Sequence, residues 1–247
     1  MIRSLLVRGM LVGILAGLLA FAFALIFGEP QVQHAIDFEE HLAAMHHEPA
    51  EAELVSRGVQ RTWGLLTGTL AMSVALGGLF ALVYAWAYGR IGPFGARATA
   101  ALLALGAYAS ITLVPFTKYP ANPPTVGNPD TIDRRTVLFV VMILISILAL
   151  VAAAYIRREL LARLGSWNAT IAAGLAFIAV IAVAELILPA VHETPAGFPA
   201  DVLWRFRIAS LGINATIWAT IGLAFGAAAE RLLAPRGARA AVASAAV

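Results

Sequence analysis

Four of the five histidines lie between His34 and His47, in the stretch "HAIDFEEHLAAMHHEP". Ala, Glu, Leu and Met favour a helix there, and Pro30 and Pro49 bound it. Read as a helix, His34, Asp37, His41, Met45 and Glu48 fall at i, i+3, i+7, i+11 and i+14, which is one face. Imidazole, carboxylate and thioether along such a face suit a divalent transition-metal ion, Co²⁺ or Ni²⁺ among them, without choosing between them. His46 and His47 extend the donor set at its end. No strict ligand motif such as H-E-x-x-H is present, so a solvated amphipathic helix on the membrane surface is the plain alternative.

Two other groups of residues could act on a passing ion. "PFTKYPANPPTVGNPDTIDRR", from Pro115 to Arg135, holds Lys118, the one lysine beside sixteen arginines, followed by Tyr119 and Asn122. Its prolines lack N–H donors and push their neighbours toward extended backbone, which predicts a rigid non-helical loop. Such a loop either folds into an outer mouth, offering Tyr119, Asn122 and carbonyls to a substrate, or serves as a stiff connector. Glu185 lies within an apolar run, one turn before Pro189, and an ionisable group there is expensive in hydrocarbon unless paired or functional. Helical spacing would put Glu185, Pro189 and His192 on one face, along an inlet; pairing of Glu185 with Arg205 or Arg207 is the structural alternative.

Several chemistries are excluded. Cysteine is absent, so there are no disulfides, thiolate ligands or thiol nucleophiles. Neither a G-x-S-x-G elbow nor a phosphate-binding G-x-x-x-x-G-K-[ST] loop occurs, and the chain is not expected to be an enzyme or to hydrolyse ATP. No resident cofactor is called for.

The elements that must position these residues are apolar. Of 247 residues 61% are hydrophobic and 13% charged, about half the charge of a soluble domain. Mean hydropathy is +0.85. Six stretches are long enough to cross ~30 Å of hydrocarbon as helices: about 5–27, 63–88, 97–115, 136–156, 168–189 and 208–230. The first is longer than the core of a signal peptide and is expected to be retained. The expectation is an all-α polytopic membrane protein, a single transmembrane domain over 1–233 with long outer loops at 28–62, 116–135 and 190–207. A small-residue tail, 234–247, is expected to be disordered and cytoplasmic.

Charge sorts by side. With both termini cytoplasmic, ten arginines and only Glu159 and Glu230 fall inside, whereas eleven acidic residues, seven basic ones and all the histidines fall outside. The pI near 9.7 is therefore an orientation signal and not a nucleic-acid footprint. Gly9, Gly13 and Gly17, Gly64 with Gly68, and Gly222 with Gly226 make small-residue stripes suited to close helix packing. Trp63 at one end of the second span and Tyr84, Trp86 and Tyr88 at the other fit interfacial belts.

Glu29-Pro30, "RGVQRTWGLLTG" from Arg57 to Gly68, and "KYPANPPTVG" from Lys118 to Gly127 with Thr131 and Arg135 closely resemble the CbtA family of probable cobalt transporter subunits. The resemblance runs from the first span to the last. It implies a multi-pass subunit of the bacterial inner membrane, with Co²⁺ as the transported ion and a link to cobalamin supply. It also implies a small single-span, histidine-rich partner of the CbtB type. It carries no metal ligands over, so the histidine row rests on spacing alone. A non-transporting membrane scaffold or assembly subunit is the alternative reading.

Overall fold

In the computed structural model, residues 1–47 and 55–233 are described; Glu48 and the 234–247 tail lie outside them. Every long element is a helix: α1 (Ile2–His46), α2 (Arg57–Ala87), α3 (Ala96–Lys118), α4 (Ile132–Ile187) and α5 (Ala200–Leu233). These five are long and apolar enough to cross a membrane. Large side chains such as Leu11, Leu79, Leu148, Leu175 and Leu223 point outward from them, surface that hydrocarbon and not water must cover.

The expected fourth and fifth spans are one 56-residue helical run broken at Gly165, whose φ of 71° and ψ of 169° are non-helical. A straight helix would set Arg157 and Thr170 about 20 Å apart, yet Arg157 Nε donates to Thr170 Oγ1 at 2.9 Å. Arg135, in the first turn of the run, and Glu193, just past its end, also meet. The chain therefore turns back at Gly165, and α4 is a helical hairpin of two apolar arms. Only glycine takes this backbone geometry without a Cβ penalty.

Helices reach further than hydropathy predicts. Pro30 lies inside α1 and not at its boundary, Pro115 lies inside α3, and helix resumes at Arg57 and Ala200, so the expected outer loops are much shorter. π-helical turns, Ala24–Gly28 and Tyr108–Leu113, end two residues before each of these prolines. A π turn shifts the ladder from i−4 to i−5, so the carbonyl that a proline cannot serve is offered the next residue's N–H.

Two sets of residues form compact units. One comprises Met1–Glu29 with the described residues of Glu51–Leu105 and Gly212–Val247; the other comprises those of Pro30–Ala50 and Gly106–Leu211. In the first, α1 and α2 touch backbone to backbone. A Cβ on Gly13 would lie 2.4 Å from the Ser73 carbonyl, and one on Gly9 would lie 2.3 Å from that of Gly77. The Gly222–Gly226 stripe packs likewise against Ala104, Arg97 and Ala100, whereas nothing approaches Gly68 within 4 Å. Small residues substitute here for a hydrophobic drive that lipid removes. Tyr84, expected in an interfacial belt, is instead fully buried. Its ring stands edge-on to Phe225 at 5.0 Å, and its hydroxyl donates to the Ala96 carbonyl at 3.3 Å. Trp63 and Trp86 are exposed, as an interfacial position requires. Glu29 and Arg57, both part of the family resemblance, pair at 2.5 Å and tie the middle of α1 to the start of α2.

Candidate functional site

The histidine row is helical, and its donors face away from the protein. His34, Asp37, His41 and Met45 are exposed on α1, while Ala35 and Phe38 on the adjoining flank of the helix pack against Val126, Phe198 and Val202. Phe38 meets Phe198 edge-to-face at 5.1 Å. That apolar contact fixes which way the row points. Asp37 accepts from Gln33 Nε2 at 2.9 Å. His46 ends the helix and His47 follows at φ 58°, which turns the chain off its axis. Among the described residues no three His, Asp or Glu side chains converge to hold a metal. The helix explains why: seven residues separate His34 from His41 by about 10 Å, against metal–ligand bonds of about 2 Å. Neighbours three or four apart can share an ion pairwise, and water must supply the rest of its shell.

The proline-rich stretch is a different object, a short loop of 119–128 pinned at nearly every polar residue. Lys118 Nζ donates to the Glu185 carbonyl at 2.6 Å, and the Thr117 hydroxyl donates to the Glu185 carboxylate. Tyr119 donates to the Pro189 carbonyl at 2.8 Å. Burial raises the Tyr119 phenol above its ordinary value, against the lowering effect of nearby Arg134, so it holds its proton as a donor. Asn122 Oδ1 accepts from Arg207 Nη2 at 2.9 Å, and Arg207 Nε reaches the Ala121 carbonyl at 3.4 Å. Glu185 is thus met by Thr117 and Lys118, and Arg207 serves the loop instead. Because α4 ends at Ile187, His192 is not on a helix face with Glu185; it is exposed in the following segment.

The loop's centre is a turn closed by Val126 N–H donating to the Pro123 carbonyl at 3.2 Å. Pro124 occupies its second position and Thr125, at φ 73°, its third, where glycine is the usual choice. A β-branched residue there is a true outlier, costing on the order of 1–3 kcal/mol, and it persists only where surroundings over-determine it. Buried Pro123 and Val126 on either side supply that constraint. Gly127 is required by its backbone, at φ 131°, which L side chains rarely adopt, and a Cβ there would also push on the Arg135 guanidinium at 2.3 Å.

Glu193 is the residue sequence reading missed as a fastener. It accepts from Asn128 N–H at 2.8 Å and from the Thr131 hydroxyl at 2.7 Å, and it pairs with Arg135 at 3.4 Å. Its one signal in the sequence was an acidic residue on the same side as a loop rich in donors. Those hydrogen bonds, with Arg135 and Arg134 adding less, hold its carboxyl below the ordinary value of 4.5. A lowered folded-state value means that the stabilisation is complete above about pH 4.5 and is lost as pH falls through the lower folded value. Thermal unfolding in detergent should therefore show an acid-dependent fall in Tm over that window. Glu193→Gln should lower Tm at neutral pH and flatten the acid fall; an unchanged pH profile would remove Glu193 from the latch.

Fold and site together define a polytopic helical membrane protein whose proline-rich loop is locked to three helices. Residues 2–230 match the family model described as probable cobalt transporter subunit, CbtA, and the chain belongs to that family. No curated protein and no solved structure matches it. It is a membrane subunit of the cobalt-transporter class, and the word subunit implies at least one further component.

Proposed function

We propose that this chain is the multi-pass component of a Co²⁺ uptake system in a bacterial inner membrane, linked to cobalamin supply. Its partner is a small single-span, histidine-rich subunit of the CbtB type. The observation that carries the reading is the family match across nearly the whole helical region. The outward histidine row supports a collecting role: His34, Asp37, His41, Met45, His46, His47 and Glu48 would hold hydrated cations pairwise and raise their local concentration. Weak capture suits that task, since an ion bound by a full protein shell would not move on. Lys118, Tyr119 and Asn122 would act by holding the loop beside Glu185 and His192, which would line the inlet. No catalytic role is proposed.

Radioactive cobalt uptake in cells carrying this chain with and without the small partner tests the reading, with nickel and zinc as competitors. Uptake equal to that of empty cells in both cases would sink it and favour a scaffold. Replacing His34, His41, His46 and His47 together by Ala should reduce uptake at low cobalt and leave the maximal rate intact. Unchanged uptake across the concentration range would dismiss the collecting role.

A further inference from the structure

Inside the membrane, α3 and the first arm of α4 each bury a hydroxyl that no protein group meets. Ser110 is 1% exposed and Ser146 is 0% exposed. Neither Oγ has a hydrogen-bond partner. A serine in a membrane helix ordinarily returns its hydrogen to a carbonyl one turn back, as Thr136, Thr170 and Ser210 do here. Ser110 and Ser146 do not.

The helix register brings them to one level. α3 and the first arm of α4 are antiparallel neighbours joined through the 119–131 connection, and the Gly106 Cβ position lies 3.1 Å from Leu150 Cδ2. One turn toward the connection from each of those residues are Ser110 and Ser146. A further turn along α4 lies Met142, also fully buried. Ser110 sits eight residues before the end of α3, about 12 Å in from it, within the apolar layer. It also lies inside the π turn Tyr108–Leu113, and single π turns inserted in helices concentrate at functional sites.

We propose that Ser110 and Ser146, with the Met142 thioether one turn further along α4, form a neutral intramembrane station for a partly hydrated divalent transition-metal cation. The inference deepens the transport reading and rests on it for the identity of the ion. Two hydroxyls and a thioether carry no charge, so they replace part of a hydration shell without holding the ion strongly, as a transit site requires. The thioether favours cobalt-like ions over Mg²⁺ or Ca²⁺. Ser73 is the useful contrast. It too is buried without a side-chain partner, but it stands alone on α2, where the Ser73 backbone is pressed against Gly13, and no second unpartnered hydroxyl shares its level.

Because the chain has no cysteine, single substitutions report on one position each. Ser110→Cys, Ser146→Cys and Ser73→Cys, in the full chain with its partner in proteoliposomes, are treated with a small water-borne methanethiosulfonate. Ser110→Cys and Ser146→Cys should react and Ser73→Cys should not. CoCl₂ at about ten times its dissociation constant should slow the two reactions about tenfold, and MgCl₂ should not. No reaction at 110 and 146 in folded protein, or reaction that cobalt leaves unslowed, overturns the station. Protection by cobalt in a preparation that transports no cobalt would leave the station standing and remove the transport reading. Transport without protection would do the reverse.

Discussion

Replacing Gly13 by Leu should abolish the packing of α1 on α2 and leave little folded protein to recover from the membrane. The Gly13 Cβ position lies 2.4 Å from the Ser73 carbonyl oxygen and 2.7 Å from Val74 Cα, and both are backbone atoms. A clash with a side-chain tip can be relieved by a rotamer change, whereas a clash with backbone moves a whole helix. Overpacking a core by a few methylenes costs about 1–3 kcal/mol, and Leu at this point should reach or exceed the top of that range. Gly68→Leu is the matched control, since nothing stands within 4 Å of that position. Yield and thermal unfolding in detergent should separate the two clearly; equal yields would refute the backbone contact.

The second large effect belongs to Arg207. Its guanidinium is half-buried and holds the proline-rich loop at two points, Asn122 Oδ1 and the Ala121 carbonyl. Arg207→Ala would leave both acceptors without their donor and open the inner face of the loop. Loss of charge-assisted hydrogen bonds with an acceptor left partly buried costs about 2–3 kcal/mol. Arg207→Lys should recover only part of this, because an ammonium cannot fork to two acceptors as a guanidinium does. The expected readouts are early proteolysis within 119–128 and reduced cobalt uptake, with Lys between wild type and Ala. Lys equal to Ala would locate the effect in the fork; Ala equal to wild type would refute the anchor.

These two sites differ in how far the chain announces them. A stripe at Gly9, Gly13 and Gly17 is visible as a spacing, and spacing alone predicts a shared face. That it meets Gly77 and Ser73, while Gly68 meets open space and Gly64 only the Val59 carbonyl of its own helix, depends on which helices become neighbours. The proline-rich loop is equally visible as an unusual string. Its function as a fastened latch was not, because the partners Glu185, Pro189, Glu193 and Arg207 lie between about 65 and 86 residues away in sequence. Tyr84 was misplaced for a related reason: aromatic residues near a span's end suit both an interface and a core, and only the presence of Phe225 decides between them.

Hydropathy, helix periodicity and charge asymmetry are local and additive, so the apolar spans, the helical histidine row and the non-thiol donor chemistry can be read along the chain. Which glycines touch, which face of α1 turns outward, where Gly165 folds α4 back, and which hydroxyls are left without partners in the membrane depend on contacts between distant segments. Those contacts are set by three-dimensional packing under the rule that backbone and side-chain polar groups in hydrocarbon must find partners within the protein. The prolines at 30 and 115 show the two levels together: the residue dictates a missing donor, and the π turn before it is the fold's way of answering.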